Sequence, residues 1–192
     1  ATADFSTVDL TGNRTISINV PLTVGSLLLG DSSGGNVYYF NTGTAGTLTF
    51  DATSGNATLT KATGGSGQIN VDVTLTDTLD ISNTSGSSVQ FRGLIDGPGG
   101  ITVNSGNLAI RESNNDYTGA TTINGGSDVL FFSNVPTGNI TINDGLYRGY
   151  YNHTMNRNLG SGANSLRITG GNSGFGWNNN LTINFGGVSV VQ

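Results

Sequence analysis

A five-residue motif, Thr-Ile/Val-Asn-x-Gly, recurs along the chain and limits its fold more than any other feature. It reads Thr102-Val103-Asn104-Ser105-Gly106, Thr122-Ile123-Asn124-Gly125-Gly126, Thr141-Ile142-Asn143-Asp144-Gly145 and Thr182-Ile183-Asn184-Phe185-Gly186, with a degenerate copy at Ser82-Asn83-Thr84-Ser85-Gly86. The motif asparagines, Asn83, Asn104, Asn124, Asn143 and Asn184, follow one another at a nearly constant interval, with two intervals before the last. A fixed period of about twenty, built from a short strand and a glycine turn, is the signature of one coil of a β-solenoid.

The stretches between turns carry the same message. Ile69, Val71, Val73 and Leu75 alternate with Asn70, Asp72 and Thr74, and the alternation returns at Leu79/Ile81, Val89/Phe91, Ile101/Val103, Leu108/Ile110, Ile140/Ile142 and Leu166/Ile168. Period two in β-branched residues predicts half-buried strands throughout, and no window has helical periodicity. Gly34-Gly35, Gly64-Gly65, Gly99-Gly100 and Gly125-Gly126 punctuate them. The expectation is an all-β chain, a single continuous β-solenoid over residues 1–192 of about nine or ten coils of roughly twenty residues. Val103, Ile123, Ile142 and Ile183 should stack as an inner aliphatic column, and Asn83, Asn104, Asn124, Asn143 and Asn184 as a structural ladder at the strand ends. A barrel or sandwich would not repeat its turns at so fixed a period.

Composition excludes several function classes. Gly, Thr, Asn and Ser make up 100 of the 192 residues, there is no Cys, and one Lys and one Glu are present. A helical bundle lacks its building blocks. The seven basic residues are scattered and the net charge is −5, which argues against nucleic acid as a partner. No apolar run is long enough for a direct membrane span. Without Cys there is no disulfide scaffold, thiol nucleophile or Cys-based zinc site.

The segment Gly93-Leu94-Ile95-Asp96-Gly97-Pro98-Gly99-Gly100-Ile101-Thr102-Val103, followed by Gly106-Asn107-Leu108-Ala109-Ile110, resembles the autotransporter-associated β-strand repeat. Its continuation, Asn115-Asp116-Tyr117-Thr118-Gly119-Ala120-Thr121-Thr122-Ile123-Asn124, is similar to the most recognisable piece of that family. The resemblance implies a right-handed parallel β-helix, single-stranded in each coil, in bacterial surface or secreted proteins that serve adhesion, matrix or surface coats. It implies no shared active site.

Asp72, Asp77 and Asp80 lie close enough in sequence to form an acid/base pair on a polysaccharide, with Lys61 and Arg92 about a coil away. Alternation turns Asp72 outward, and a solvated polar face accounts for all three. His153, the sole histidine, is expected in a surface loop. Gly64-Gly65-Ser66-Gly67-Gln68 begins like a calcium-binding β-roll repeat but breaks off after its fourth position, leaving only incidental calcium binding, and no cofactor is expected. The best ligand patch is Tyr147, Arg148, Tyr150 and Tyr151, where exposed aromatics would suit a surface glycan; the favoured structural alternative is that alternate aromatics fill the core or cover a corner.

Val188–Gln192 reads as an alternating strand with no cap, and a first strand is expected around Phe5 to Leu10. Uncapped solenoid ends template further pairing, so the partners expected are other copies of the chain or the rest of a longer solenoid. The resulting expectation is a non-catalytic, extracellular or cell-surface structural protein forming a coat, stalk or fibre. The alternative is an adhesin or carbohydrate-binding module, followed by a polysaccharide-cleaving enzyme.

Overall fold

A computed structural model describes residues 1–32, 34–132, 137–150, 153–177, 181–186 and 188–191, with the backbone alone for Trp177 and 188–191. The fold is all-β, with twenty-three strands and no helix among these residues. A long sheet runs through Thr2–Phe5, Ser26–Leu29, Ala57–Lys61, Leu79–Asn83, Ile101–Ser105, Thr121–Ile123, Ile140–Asn143 and Ser165–Thr169. An eight-stranded sheet holds Arg14–Ile18, Tyr38–Thr42, Gly67–Ile69, Ser88–Phe91, Asn107–Ile110, Asp128–Phe131, Leu146–Gly149 and Gly174–Trp177. A third, four-stranded sheet holds Leu22–Val24, Leu48–Phe50, Val73–Leu75 and Ile95–Asp96.

Successive strands visit the sheets in turn. Ala57–Lys61 leads to Gly67–Ile69, then to Val73–Leu75, and Leu79–Asn83 returns to the long sheet beside Ala57–Lys61. In the long sheet the register passes from Ala3 to Leu27, Leu59, Ile81, Val103, Ile123, Ile142 and Ile168. That makes eight rows, fewer than the nine or ten expected, because most circuits are longer than the motif period. The first strand is Thr2–Phe5, earlier than the Phe5–Leu10 expected.

Alternation decides what is inside. Leu27, Leu59, Ile81, Val103, Ile123 and Ile142 stack as one buried column, and Phe91, Ile110 and Phe131 as another across the interior. Removing such surface from water is the main stabilising term. At one corner the rows touch backbone to backbone. A Cβ at Gly119 would lie 2.3 Å from Gly100 N, and one at Gly138 would lie 2.0 Å from Gly119 O. Only glycine fits there.

Two expectations about the C-terminal part need correction. Ile183 does not continue the Val103–Ile123–Ile142 column, because its strand, Leu181–Phe185, pairs with His153–Leu159 and puts Ile183 beside Met155. The next row below Ile142 is Ile168. Val188–Val191 turns back and pairs antiparallel with Leu181–Phe185, whereas every other described pairing is parallel. Gln192 lies outside the described residues.

Candidate functional site

The strand Leu146–Gly149 divides the expected patch between two sides of the sheet. Tyr147 points inward and is fully buried, so it is not part of an exposed patch. Arg148 points outward and grips Asp128, with Nε donating to Oδ1 and Nη2 meeting Oδ2, both at 2.6 Å. Tyr150, one residue past the strand, is half-buried. Tyr151 lies outside the described residues.

Tyr150 belongs to a column that the repeat motif does not reveal. Backbone hydrogen bonds Asn70 N to Phe40 O, Arg92 N to Ile69 O, Arg111 N to Phe91 O, Phe132 N to Ile110 O and Tyr150 N to Phe131 O set these residues one above another. Their side chains meet rung to rung. Asn70 Nδ2 donates to Asn41 Oδ1 at 2.6 Å, the Arg111 guanidinium sits 4.3 Å over the Phe132 ring, and Phe132 packs on Tyr150 with ring centres 4.4 Å apart. Each such contact contributes on the order of 0.5–1.5 kcal/mol. The two faces of Phe132 are therefore taken by neighbours within the chain, which leaves ring edges and the Arg92 side chain facing solvent.

The asparagine ladder is real over three of the five expected positions. Asn124 Nδ2 donates to Asn104 Oδ1 at 2.9 Å, Asn143 Nδ2 donates to Asn124 Oδ1 at 3.2 Å, and Thr169 Oγ1 closes the row on Asn143 Oδ1 at 3.2 Å. Asn83 is not a rung. It shares the inward side of its strand with Leu79 and Ile81, and a bulge between Ile81 and Ser82 sets Ser82 beside Ser105, so that Asn104 has no partner in that strand. There its Nδ2 donates to Ser87 O and Asn107 O, and its Oδ1 accepts from Ser85. Asn184 is not a rung either, since it hydrogen-bonds Asn156 in the C-terminal strand pair.

The carboxylates proposed for acid/base chemistry each hold another row in place. Asp72 Oδ1 accepts from Leu94 N at 2.9 Å, Asp77 Oδ2 from Ala52 N at 2.7 Å, and Asp80 Oδ2 from Asn56 Nδ2 at 3.1 Å. Lys61, expected about a coil away from them, is buried. Its ammonium donates to Thr63 O at 2.8 Å, Gly64 O at 3.1 Å and Ser87 Oγ at 3.2 Å. Burial pulls the amine down to about 8, against the opposing pull of Asp31. Asp31 itself is buried, with its carboxylate accepting from Leu10 N, Asn36 N and Asn36 Nδ2. These bonds fix the corner that the broken Gly64–Gln68 repeat forms. Among the described residues no three His, Asp or Glu side chains converge as metal ligands would.

The most unusual chemistry lies inside the C-terminal part, and the expectation of a surface histidine is corrected there. His153 is 2 % exposed, and its Nε2 is 2.6 Å from the Tyr147 hydroxyl. Tyr117 is likewise buried, with its hydroxyl 2.8 Å from Thr121 Oγ1. Arg157 joins the same interior and hydrogen-bonds Asn164. Burial drives the His153 imidazole down to about 4 and both tyrosine hydroxyls upward, the Arg157 charge partly offsetting the latter. The sequence signal for this cluster was the spacing His153-x-Met155-x-Arg157, which is strand alternation with polar residues on the inner side.

No family model, curated protein or solved structure matches the chain.

Proposed function

We propose that the chain is a non-catalytic structural protein, a right-handed parallel β-helix of eight coils that builds an extracellular or cell-surface coat, stalk or fibre of bacterial origin. The observation that carries this reading is the unbroken parallel register from Ala3 to Ile168, reinforced by side chains that bond from row to row. In such an array each row is stabilised by its neighbours, so strength grows with the number of rows. The acid/base candidates Asp72, Asp77 and Asp80 each bond to another row. The resemblance of the Gly93–Asn124 segment to autotransporter-associated repeats supports the surface location.

Its partners are other copies of the chain or further coils of the same architecture. The first strands of all three sheets, Thr2–Phe5, Arg14–Ile18 and Leu22–Val24, are edge strands, and Val20 and Leu22 are exposed beside them. Edge strands with apolar neighbours are templates for pairing. Electron microscopy and sedimentation over a range of concentrations should show rods longer than one chain. A strictly monomeric particle at high concentration overturns the self-assembling form.

A surface glycan remains the alternative partner, through Arg92, Arg111 and the edges of the Phe132 and Tyr150 rings. It predicts glycan retention that Tyr150→Ala removes; a glycan screen without such binding disposes of it.

A further inference from the structure

Strand Leu146–Gly149 has a gap in its inward row. Phe131 faces inward in the row above, and its register partner is Gly149, which has no side chain to continue the column. His153 occupies that place. A Cβ on Gly149 would lie 2.6 Å from His153 Cβ and 2.8 Å from Cγ, so the imidazole is seated directly against the glycine backbone. Tyr147, from the same strand, reaches across to His153 Nε2.

His153 is also the first residue of the strand His153–Leu159, which carries the rest of the C-terminal part. That strand pairs along five residues with Leu181–Phe185, but it joins Ser165–Thr169 through only two. Its hold on the interior rests on the inward side chains His153, Met155 and Arg157. We propose that His153 is an acid-sensitive latch, whose neutral imidazole docks the His153–Leu159 and Leu181–Phe185 strand pair onto the preceding rows and whose protonation releases it.

The chemistry of the pocket gives the switch its direction. Among the described residues His153 Nδ1 is buried without a partner. In the neutral ring Nε2 and the Tyr147 hydroxyl share one proton in a short hydrogen bond. An imidazolium would carry a proton on both nitrogens, so Tyr147 could only accept and its own proton would need a new partner. Among the described residues the titratable groups of this interior are Tyr147 from Leu146–Gly149, Tyr117 from the 111–120 segment and Arg157 from the histidine's own strand, and the last already carries a positive charge. Arg148 points away to Asp128. No carboxylate contributes to the shift at His153, which is caused by burial alone. A charge with no counterion in a buried site drives opening.

The sign follows directly. The unfolded histidine takes up its proton near 6.5 and the folded one only near 4. The docked form is therefore fully stable above 6.5 and is weakened as pH falls toward 4. Between pH 7 and 5 the docking equilibrium should fall about 20-fold, in a range where ordinary carboxylates are still ionised. His153 is the chain's sole histidine.

Hydrogen exchange of the full chain at pH 7 and 5, corrected for intrinsic rates, tests the latch. Protection in 153–159 and 181–185 should drop about 20-fold while 57–61 and 79–83 hold theirs. In His153→Gln the two pH values should give equal protection. Uniform loss across the chain, or the same pH response in His153→Gln, overturns the proposal. Should that variant not fold, the ring resonances of wild-type His153 decide: a midpoint near 4 supports the latch, and one at 6.5 or above overturns it.

Discussion

The rows before Gly97 and those after it solve the same packing problem differently. Up to Ile95–Asp96 every turn of the chain contributes to three ladders, and the interior mixes aliphatic side chains such as Val24 and Leu75 with Tyr38, Phe40, Phe50 and Phe91. Just after Gly97 the circuits shorten, so that Val103, Ile123 and Ile142 stand closer together in sequence than Leu59, Ile81 and Val103 do, and the circuit from Ile142 to Ile168 is longer again. Among the described residues the third side then has isolated backbone bonds in place of a ladder, such as Asp116 N to Ile95 O and Thr118 N to Gly97 O. Tyr117 reaches inward from that side, and Tyr147 stacks on Phe131 at 4.9 Å. In these circuits without a third ladder, the buried tyrosines Tyr117 and Tyr147 carry hydroxyls into the interior. The hydroxyls of those side chains must then be satisfied inside, which is how polar residues enter the core.

The comparison is broken most severely by truncating an anchor of the three-ladder region. Phe50→Ala should cost about 3–5 kcal/mol, since Phe50 is fully buried between Val24 and Leu75 in the register. Urea denaturation gives the total. Hydrogen exchange should place the loss in 22–24, 48–50 and 73–75, with 140–143 spared, because coupling in stacked rows passes only between neighbours. A uniform loss along the chain would mean that the two regions unfold as one. The matching change on the other side, Tyr147→Phe, keeps the ring packing and removes only the hydroxyl that His153 uses. About 1–3 kcal/mol should be lost, confined to residues after 140.

Alkaline pH should separate the regions in the opposite sense from acid. Unfolded Lys61 keeps its proton up to about 10.5 and the folded amine sheds it near 8. Between those values the unfolded state holds more protons, so raising the pH favours the fold. The gain from pH 8 to 10 should be about 1–2 kcal/mol once solvent screening is allowed for, and Lys61→Met should abolish it. Above 10 the buried Tyr117 and Tyr147 act against the fold, because their hydroxyls stay protonated inside while unfolded tyrosines ionise. A melting temperature that shows no rise between pH 8 and 10 would mean that the Lys61 ammonium is fully solvated.

The strands and their parallel stacking were legible because alternation and a near-constant period survive in Val103, Ile123 and Ile142, each aligned with the next. What misled was the assumption that a motif copy implies a ladder position. Asn83 carries the motif but lies on the inward side of its strand with Leu79 and Ile81, and Asn184 carries it in a strand that pairs elsewhere. Thr169 holds the rung that the spacing assigned to no residue, because the chain takes a longer circuit between Asn143 and its partner in the next row. Tyr147 and His153 were misplaced for a related reason. Period-two alternation tells which residues share a side, and Tyr147 shares the inner side with Phe131's column only once its pairing with Val129 is known.

Surface ladders should matter less than either core, and they rank the two regions last. Asn124 bonds both neighbours, Asn104 and Asn143, at the solvent-facing side of its sheet. Asn124→Ala should therefore lose about 1 kcal/mol, from two solvent-reachable hydrogen bonds. Arg148 and Asp128 form a two-pronged pair with both side chains partly exposed, for which about 0.2–1 kcal/mol is expected. A double-mutant cycle of Arg148→Met and Asp128→Asn in urea, at low and at high salt, isolates that term. It should shrink as salt rises, since solvent and ions reach the pair. The Asn124 term should not change with salt, because both its bonds join neutral amides. A salt-insensitive Arg148–Asp128 coupling would instead indicate that packing of the arginine stem against Leu130's row, and not charge, holds the outer side of the short-circuit region together.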